Sequence, residues 1–165
     1  NKNYKIYGID SLNSYYSLKL KKKRTNILKK YKKFKFKNLD ISNKKILDNY
    51  LDKIKIDLVI NFAAQAGVRY SLSNPEEYVY SNQLGFFNIL NYCKKNKIKL
   101  IYASSSSVYG DIKKFPTVEK NKLNPKNIYS ATKLSNEIFA EIFSKFYNLN
   151  IIGLRFFTVF GEWGR

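Results

Sequence analysis

Short apolar runs alternate with longer polar segments along nearly the whole chain, and this alternation restricts the fold more than any other property of the sequence. The runs at 4–10 (YKIYGID), 34–41 (FKFKNLDI), 57–64 (DLVINFAA), 98–110 (IKLIYASSSSVYG) and 149–157 (LNIIGLRFF) have strand length and composition. Between them, residues 14–31, 43–54, 75–95 and 128–147 carry apolar positions at helical spacing. Ser42 or Asn43 serves as a helix cap, and Pro75 sits where a first helical turn tolerates it. Residues 111–126, with Pro116 and Pro125, read as a loop. The run 57–64 is almost continuously apolar, the pattern of a strand buried on both faces. Strand–helix alternation of this kind predicts an α/β fold, a doubly wound parallel sheet with helices on both faces. Ligands of such sheets bind beyond the carboxyl ends of the strands. The polar clusters fall there: Asp10, Asp40, Ala63 to Gln65, Ser104 to Ser107, and Thr158.

Composition excludes several classes. With 165 residues, 44% of them hydrophobic, the chain has material for one ordinary core. Its apolar runs are far shorter than the roughly 20 residues a spanning helix needs, so no membrane partner is expected. A single cysteine, Cys93, cannot form an internal disulfide and fits a reducing, cytoplasmic setting. The absence of histidine removes histidine triads and histidine metal sites, and no metal is expected. The net charge of +19 invites a nucleic-acid reading, because residues 19–37 hold 11 Lys or Arg and no acid, with Tyr31, Phe34 and Phe36 interleaved. Against it, Lys, Asn and Ile together make up 63 of the 165 residues, and all three have AT-rich codons. Only four basic residues are Arg, the side chain suited to bidentate phosphate recognition. Compositional drift, with the charge on solvated faces, is therefore preferred over nucleic-acid binding.

Three features could carry chemistry. Asp10, just past a strand, is either a ribose-binding acid or a cap for the following turn. Ser104 to Ser107 end a strand with four hydroxyls, which either cap their own backbone or hold a substrate alcohol. The spacing Tyr-x-x-x-Lys puts both side chains on one helix face, where an ammonium beside a phenol makes tyrosine a usable base. Chance alone would give about two such pairs in this composition. The chain has four, Tyr15/Lys19, Tyr31/Lys35, Tyr109/Lys113 and Tyr129/Lys133, and only Tyr129 opens a long helix after the Ser cluster. Glu137 and Glu141, four apart on that helix, read as solvent-side charges balancing lysines, and Arg155 as half of a strand-end salt bridge.

The segments YGIDSLNSYY, INFAAQAGVRYSLSNPEEYVYSN, YASSSSVYG, YSATK and GLRFFTVFGEWGR, in this order and spacing, resemble the NAD-dependent epimerase/dehydratase group of the extended short-chain dehydrogenase/reductases. Within that group they are most similar to UDP-glucuronate 4-epimerases, enzymes of nucleotide-sugar metabolism that supply polysaccharide biosynthesis. The resemblance runs over essentially the whole chain. It implies that residues 1–165 are a partial NAD-binding, Rossmann-like domain. The first strand and its Gly-rich loop would lie upstream, and most of a C-terminal sugar-nucleotide-binding domain downstream. The piece alone would then be inactive.

The resemblance also assigns roles. Ser105, Tyr129 and Lys133 match the catalytic hydroxyl, the base and its partner. Asp10, Asn13, Asp40, Ile41, Phe62, Ala63, Ala64, Gln65, Asn82, Tyr129, Lys133 and Phe157 match cofactor-binding positions. Arg69, Ser105, Ser106, Ser107, Thr158 and Arg165 would face the UDP-sugar. A homodimer is implied for the full-length protein, through a bundle including 75–95 and 128–147. Dehydratases place Asp and Glu where this chain has Ser106 and Ser107, so elimination chemistry is disfavoured. Two positions depart from the pattern: Asn61 stands where His or Asp is usual, and Glu162 replaces a proline. The remaining alternatives are a UDP-glucose or UDP-N-acetylglucosamine 4-epimerase, and an inactive nucleotide- or nucleic-acid-binding module.

Overall fold

A computed structural model of the chain describes residues 4–112 and 115–164. Two compact units are distinguished: 1–40 with 159–165, and 41–158. Arg165 and Lys113, both singled out from the sequence, lie outside the described residues.

In the first unit β1 (Ile6–Asp10) pairs in parallel with β2 (Phe34–Asn38), joined by α1 (Leu18–Lys29). The expected helix 14–31 is shorter because Ser17 caps it, accepting the Leu20 amide, and Lys30 ends it. Only Lys21 of α1 is buried; its ammonium donates to the carbonyl and the side-chain oxygen of Asn13. The remaining lysines of the helix stay in water, as a basic solvated face should.

The second unit holds α2 (Lys44–Leu51), β3 (Leu58–Asn61), α3 (Tyr70–Ser73), α4 (Pro75–Tyr78), α5 (Gly85–Asn96), β4 (Lys99–Ser105), α6 (Ile128–Tyr147) and β5 (Ile151–Phe156). Its strands form a parallel sheet in the order β3-β4-β5, with Tyr102 opposite Asn61 and Gly153, and Ser104 opposite Arg155. Period-2 alternation puts Leu100, Tyr102 and Ser104 on the buried face. Phe86 of α5 packs on Tyr102, ring centroids 4.9 Å apart, and Tyr78, Leu90, Cys93 and Val108 complete the core. Gly153 is required here: a Cβ would stand 2.6 Å from the Tyr102 hydroxyl.

Three expectations change. Helix 75–95 is not continuous: α4 passes through a π-helical turn, Val79–Leu84, before α5 begins. The strand expected over 98–110 stops at Ser105 and gives way to a 3-10 turn, Ser106–Tyr109. Ser105 caps that turn through its own hydroxyl, and Gly110 ends it at φ +67°. The strand expected over 57–64 is only Leu58–Asn61, and it is not buried on both faces: Leu58 is 41% and Ile60 55% exposed. Helix α5 packs against β3, and Val59 and Asn61 alternate with Leu58 and Ile60 as its less exposed positions.

Candidate active site

The residues after β4, the start of α6 and the turn after β3 build one polar centre in the second unit. Its scaffold starts at Asn127, whose side chain accepts the Ser130 amide (2.9 Å) while the Ser130 hydroxyl accepts the Asn127 amide (3.2 Å). This reciprocal capping fixes the first turn of α6, and with it Tyr129. One turn on, Lys133 is only 4% exposed, and its ammonium donates to the Ala103 carbonyl at 2.7 Å. That ammonium stands 5.9 Å from the centre of the Tyr129 ring. Burial lowers the Lys133 pKa to about 8, so at neutral pH the side chain still carries its charge for most of the time. The Tyr129 ring meets Tyr78 edge-on, centroids 6.2 Å apart. The Tyr78 hydroxyl lies 3.0 Å from the Ala66 carbonyl and also against that of Gly67.

Ser105 lies half-buried at the end of β4. Its hydroxyl oxygen accepts from the Ser107 amide (3.2 Å) and the Ser107 hydroxyl (2.9 Å), which leaves its own proton to donate elsewhere. Ser106 is half-buried in the same turn. The self-capping reading of the Ser cluster and the substrate reading are thus compatible.

Asn82, matched by the resemblance to a cofactor-binding position, is buried and hydrogen-bonded within the protein. It accepts the Gln65 amide (2.7 Å) and donates to the Gln65 carbonyl (3.1 Å) and the Thr132 hydroxyl (3.0 Å). Its own carbonyl accepts from the Asn136 side chain (3.0 Å). The π-helical turn delivers Asn82 to this place and ties the 63–66 segment to α6. Asn61 likewise turns its side chain back onto the Ala63 amide (3.2 Å). Phe62 and Ala63 are exposed, and Ala64 half-exposed, at the strand's carboxyl end, where Phe62 meets Phe156 edge-on. Ile41 is buried, its carbonyl accepting from Asn88 (3.0 Å). Phe157 and Thr158 are exposed beyond β5, and Arg69 is exposed immediately before α3. In the first unit, Asp10 accepts the Leu12 amide at 2.6 Å and so acts as a turn cap, Asn13 anchors Lys21, and Asp40 is exposed.

Glu137 requires correction. It does not face solvent to balance lysines; its side chain is 15% exposed and pairs with Arg155, itself 21% exposed, through two parallel hydrogen bonds of 2.9 and 2.7 Å. The Ser104 hydroxyl also donates to it. The expected Arg155 strand-end salt bridge is this one. Tyr78, Thr132 and Asn136 were likewise passed over. Glu137 had a readable signal: it lies one turn beyond Lys133 and two beyond Tyr129, on the same helical stripe.

Among the described residues no group of acids and cysteines is arranged to hold a metal ion, and no helix is long and apolar enough to cross a membrane.

Comparison with known proteins places this centre in context. Protein CapI of Staphylococcus aureus is 48% identical over 97% of this chain and 48% of its own length. UDP-glucuronate 4-epimerase 3 of Arabidopsis thaliana is 40% identical over 97% of this chain and 38% of its own. The crystal structure of UDP-glucuronic acid 4-epimerase from Bacillus cereus, in complex with UDP-glucuronic acid and NAD, superposes with a TM-score of 0.87 at 34% identity, over 98% of this chain and 51% of that one. The α/β, Rossmann-like class with parallel strands and flanking helices is thereby shown. The chain spans about half the length of the relatives it matches, or less. Residues 1–163 match the family model described as GDP-mannose 4,6 dehydratase, and the chain belongs to that family, the NAD-dependent epimerases and dehydratases.

Proposed function

We propose that the chain is the cofactor-binding part of an NAD-dependent UDP-sugar 4-epimerase, with UDP-glucuronate as substrate and UDP-galacturonate as product. The observation that carries this reading is the buried Lys133, held by the Ala103 carbonyl with its ammonium within 6 Å of the Tyr129 ring; Ser105 ends the same strand two residues after Ala103. A cation, a phenol and an alcohol so arranged suit proton transfer to and from a secondary alcohol.

The residues present fit the cofactor. Lys133 spends one ammonium proton on Ala103 and has donors left for ribose hydroxyls. Ala63 and Ala64 keep the end of β3 open to close approach, and Asp10 offers a carboxylate at a strand end. Phe62, Gln65, Phe157, Asn13, Asp40 and Ile41 would contribute further contacts, and Asn82 would act by holding Gln65. NAD, when bound, supplies a hydride acceptor that later returns the hydride. Tyr129 takes the proton of the sugar 4-hydroxyl and gives it back after the 4-keto sugar has turned over. Ser105 donates to the sugar oxygen and orients it. Lys133 supplies the positive charge that stabilises phenolate.

The hydroxyls of Ser106, Ser107 and Thr158, with Arg69 and Arg165, would receive the sugar and its carboxylate. Neither Ser106 nor Ser107 can serve as the additional acid or base a dehydratase needs. The apolar outer face of α5 and α6, with Phe87, Ile138, Ile142, Phe146 and Tyr147 exposed, supports a homodimer in the full-length protein. The unpaired Cys93 suits a cytoplasmic location, and the product would feed polysaccharide biosynthesis.

The test uses the complete product of the gene carrying this chain, incubated with UDP-glucuronate and followed by the anomeric and H4 proton resonances. Appearance of the C4 epimer, lost in Tyr129→Phe, is expected. Conversion of UDP-glucose or UDP-N-acetylglucosamine instead would move the substrate to a neutral sugar. Inertness toward all three would overturn the reading.

A further inference from the structure

The Glu137–Arg155 pair gathers more of the second unit than any stabilising role requires. Arg155 of β5 clasps both carboxylate oxygens of Glu137 on α6, at 2.9 and 2.7 Å. Its remaining nitrogen donates to the Tyr109 hydroxyl (3.0 Å) and the Glu119 carbonyl (2.9 Å), and the guanidinium lies 5.0 Å from the centre of the Tyr109 ring. The Ser104 hydroxyl of β4 donates to the same carboxylate. Two strands, a helix, the 3-10 turn and the loop after it thus meet at one ion pair. A largely buried ion pair is an inefficient stabiliser, because desolvation offsets most of the attraction and apolar side chains would serve as well. What it offers is direction, through fixed donor and acceptor geometry.

That direction bears on the centre described above. Lys133 grips the Ala103 carbonyl, and Glu137, one turn later, grips Ser104. These are the two residues directly before Ser105. One anchor would let α6 pivot against β4, whereas two anchors on successive residues prevent both sliding and pivoting. Tyr129 lies about 6 Å along the axis from Lys133. A pivot of about 10° there would carry the phenol by roughly 1 Å, a displacement that can cost about 100-fold in rate.

We propose that Glu137 and Arg155 are positioning residues that hold α6 against the end of β4 and so fix Tyr129 relative to Ser105. The inference rests on the epimerase reading for its rate consequence, but not for its structural one. In the complete gene product, Glu137→Met and Arg155→Met each leave a buried charge unpaired, while the double variant removes both. The double variant should regain most of the melting temperature lost by either single variant. Its turnover should stay at least tenfold below that of the parent, with the KM for the UDP-sugar within twofold. Turnover that recovers together with melting temperature would overturn the proposal. Amide hydrogen exchange gives an arm that needs no substrate. Exchange at Ser105 to Ser107, divided by that at Lys99 to Ile101 in the same strand, should rise at least fivefold in the double variant, and an unchanged ratio would overturn the proposal whatever the variant's stability. If the parent turns over no UDP-sugar, the epimerase reading fails and the exchange ratio alone decides the positioning role.

Discussion

Helices α1 and α6 each bury one lysine, and the two lysines differ in what they are placed to do. Lys21 of α1 is bonded to Asn13, eight residues away, and closes a local turn. Lys133 of α6 reaches the Ala103 carbonyl, thirty residues away, and stands beside a phenol. The outer lysines of α1 remain in water, where their charge is screened and contributes little. On α6 the inward stripe holds Tyr129, Lys133 and Glu137, and the latter two are bonded to the end of β4. In a chain this rich in lysine, the charge count carries little information. The burial of a charge and the sequence distance to its partner carry much more.

The contrast can be broken at several points. The largest expected effect is on chemistry: Tyr129→Phe should lower epimerase turnover about 10²- to 10⁴-fold, the ordinary cost of losing a general base. Lys19→Met, in the Tyr15/Lys19 pair at the start of α1, should leave turnover within about twofold, and an equal loss in both variants would erase the distinction. Next in size, Glu137→Met or Arg155→Met alone should destabilise the chain by about 3–5 kcal/mol through the unpaired charge left behind, as measured by urea denaturation.

Lys133→Met should act in the opposite direction on stability while abolishing activity. Burial lowers the lysine from 10.5 to about 8, so below pH 8 the folded state bears the whole cost of holding a buried cation. That cost is on the order of 3 kcal/mol. Between pH 8 and 10.5 the folded protein has released the proton while the unfolded chain keeps it, so stability rises with pH across this window. The advantage of Lys133→Met should therefore be greatest at pH 7 and vanish above pH 10.5, and a pH-independent difference would refute the assignment to charge burial. A smaller loss, about 1 kcal/mol, is expected for Asn127→Ala, which removes one half of the cap on α6. Smallest of all, Lys22→Gln with Lys23→Gln on α1 should change stability by no more than about 0.5 kcal/mol. A steep salt dependence of DNA binding that these two changes weaken would give α1 a role the present reading denies it.

Local chemistry made much of this molecule legible in its sequence. Helix 128–147 was readable to the residue from its long apolar period. The five strands were readable in order for a similar reason, because β-branched and aromatic runs bounded by polar residues report local preference. Tyr129 and Lys133 emerged from spacing and context, since helical periodicity alone puts them on one face. The ends of strands and the break in helix 75–95 were not readable. A π-helical turn costs local hydrogen-bond geometry and persists because Asn82 gains Gln65, Thr132 and Asn136 in return. Glu137 shows the same limit most clearly. Its residue type suits a solvated helix surface, and although its spacing puts it on the stripe of Tyr129 and Lys133, only the arrival of Arg155 from β5 and Ser104 from β4 gives it partners there. Periodicity states which residues share a face. Which partner meets that face, and therefore whether a charge is solvated or used, is decided by contacts between residues far apart in the chain, and those exist only once the chain has folded.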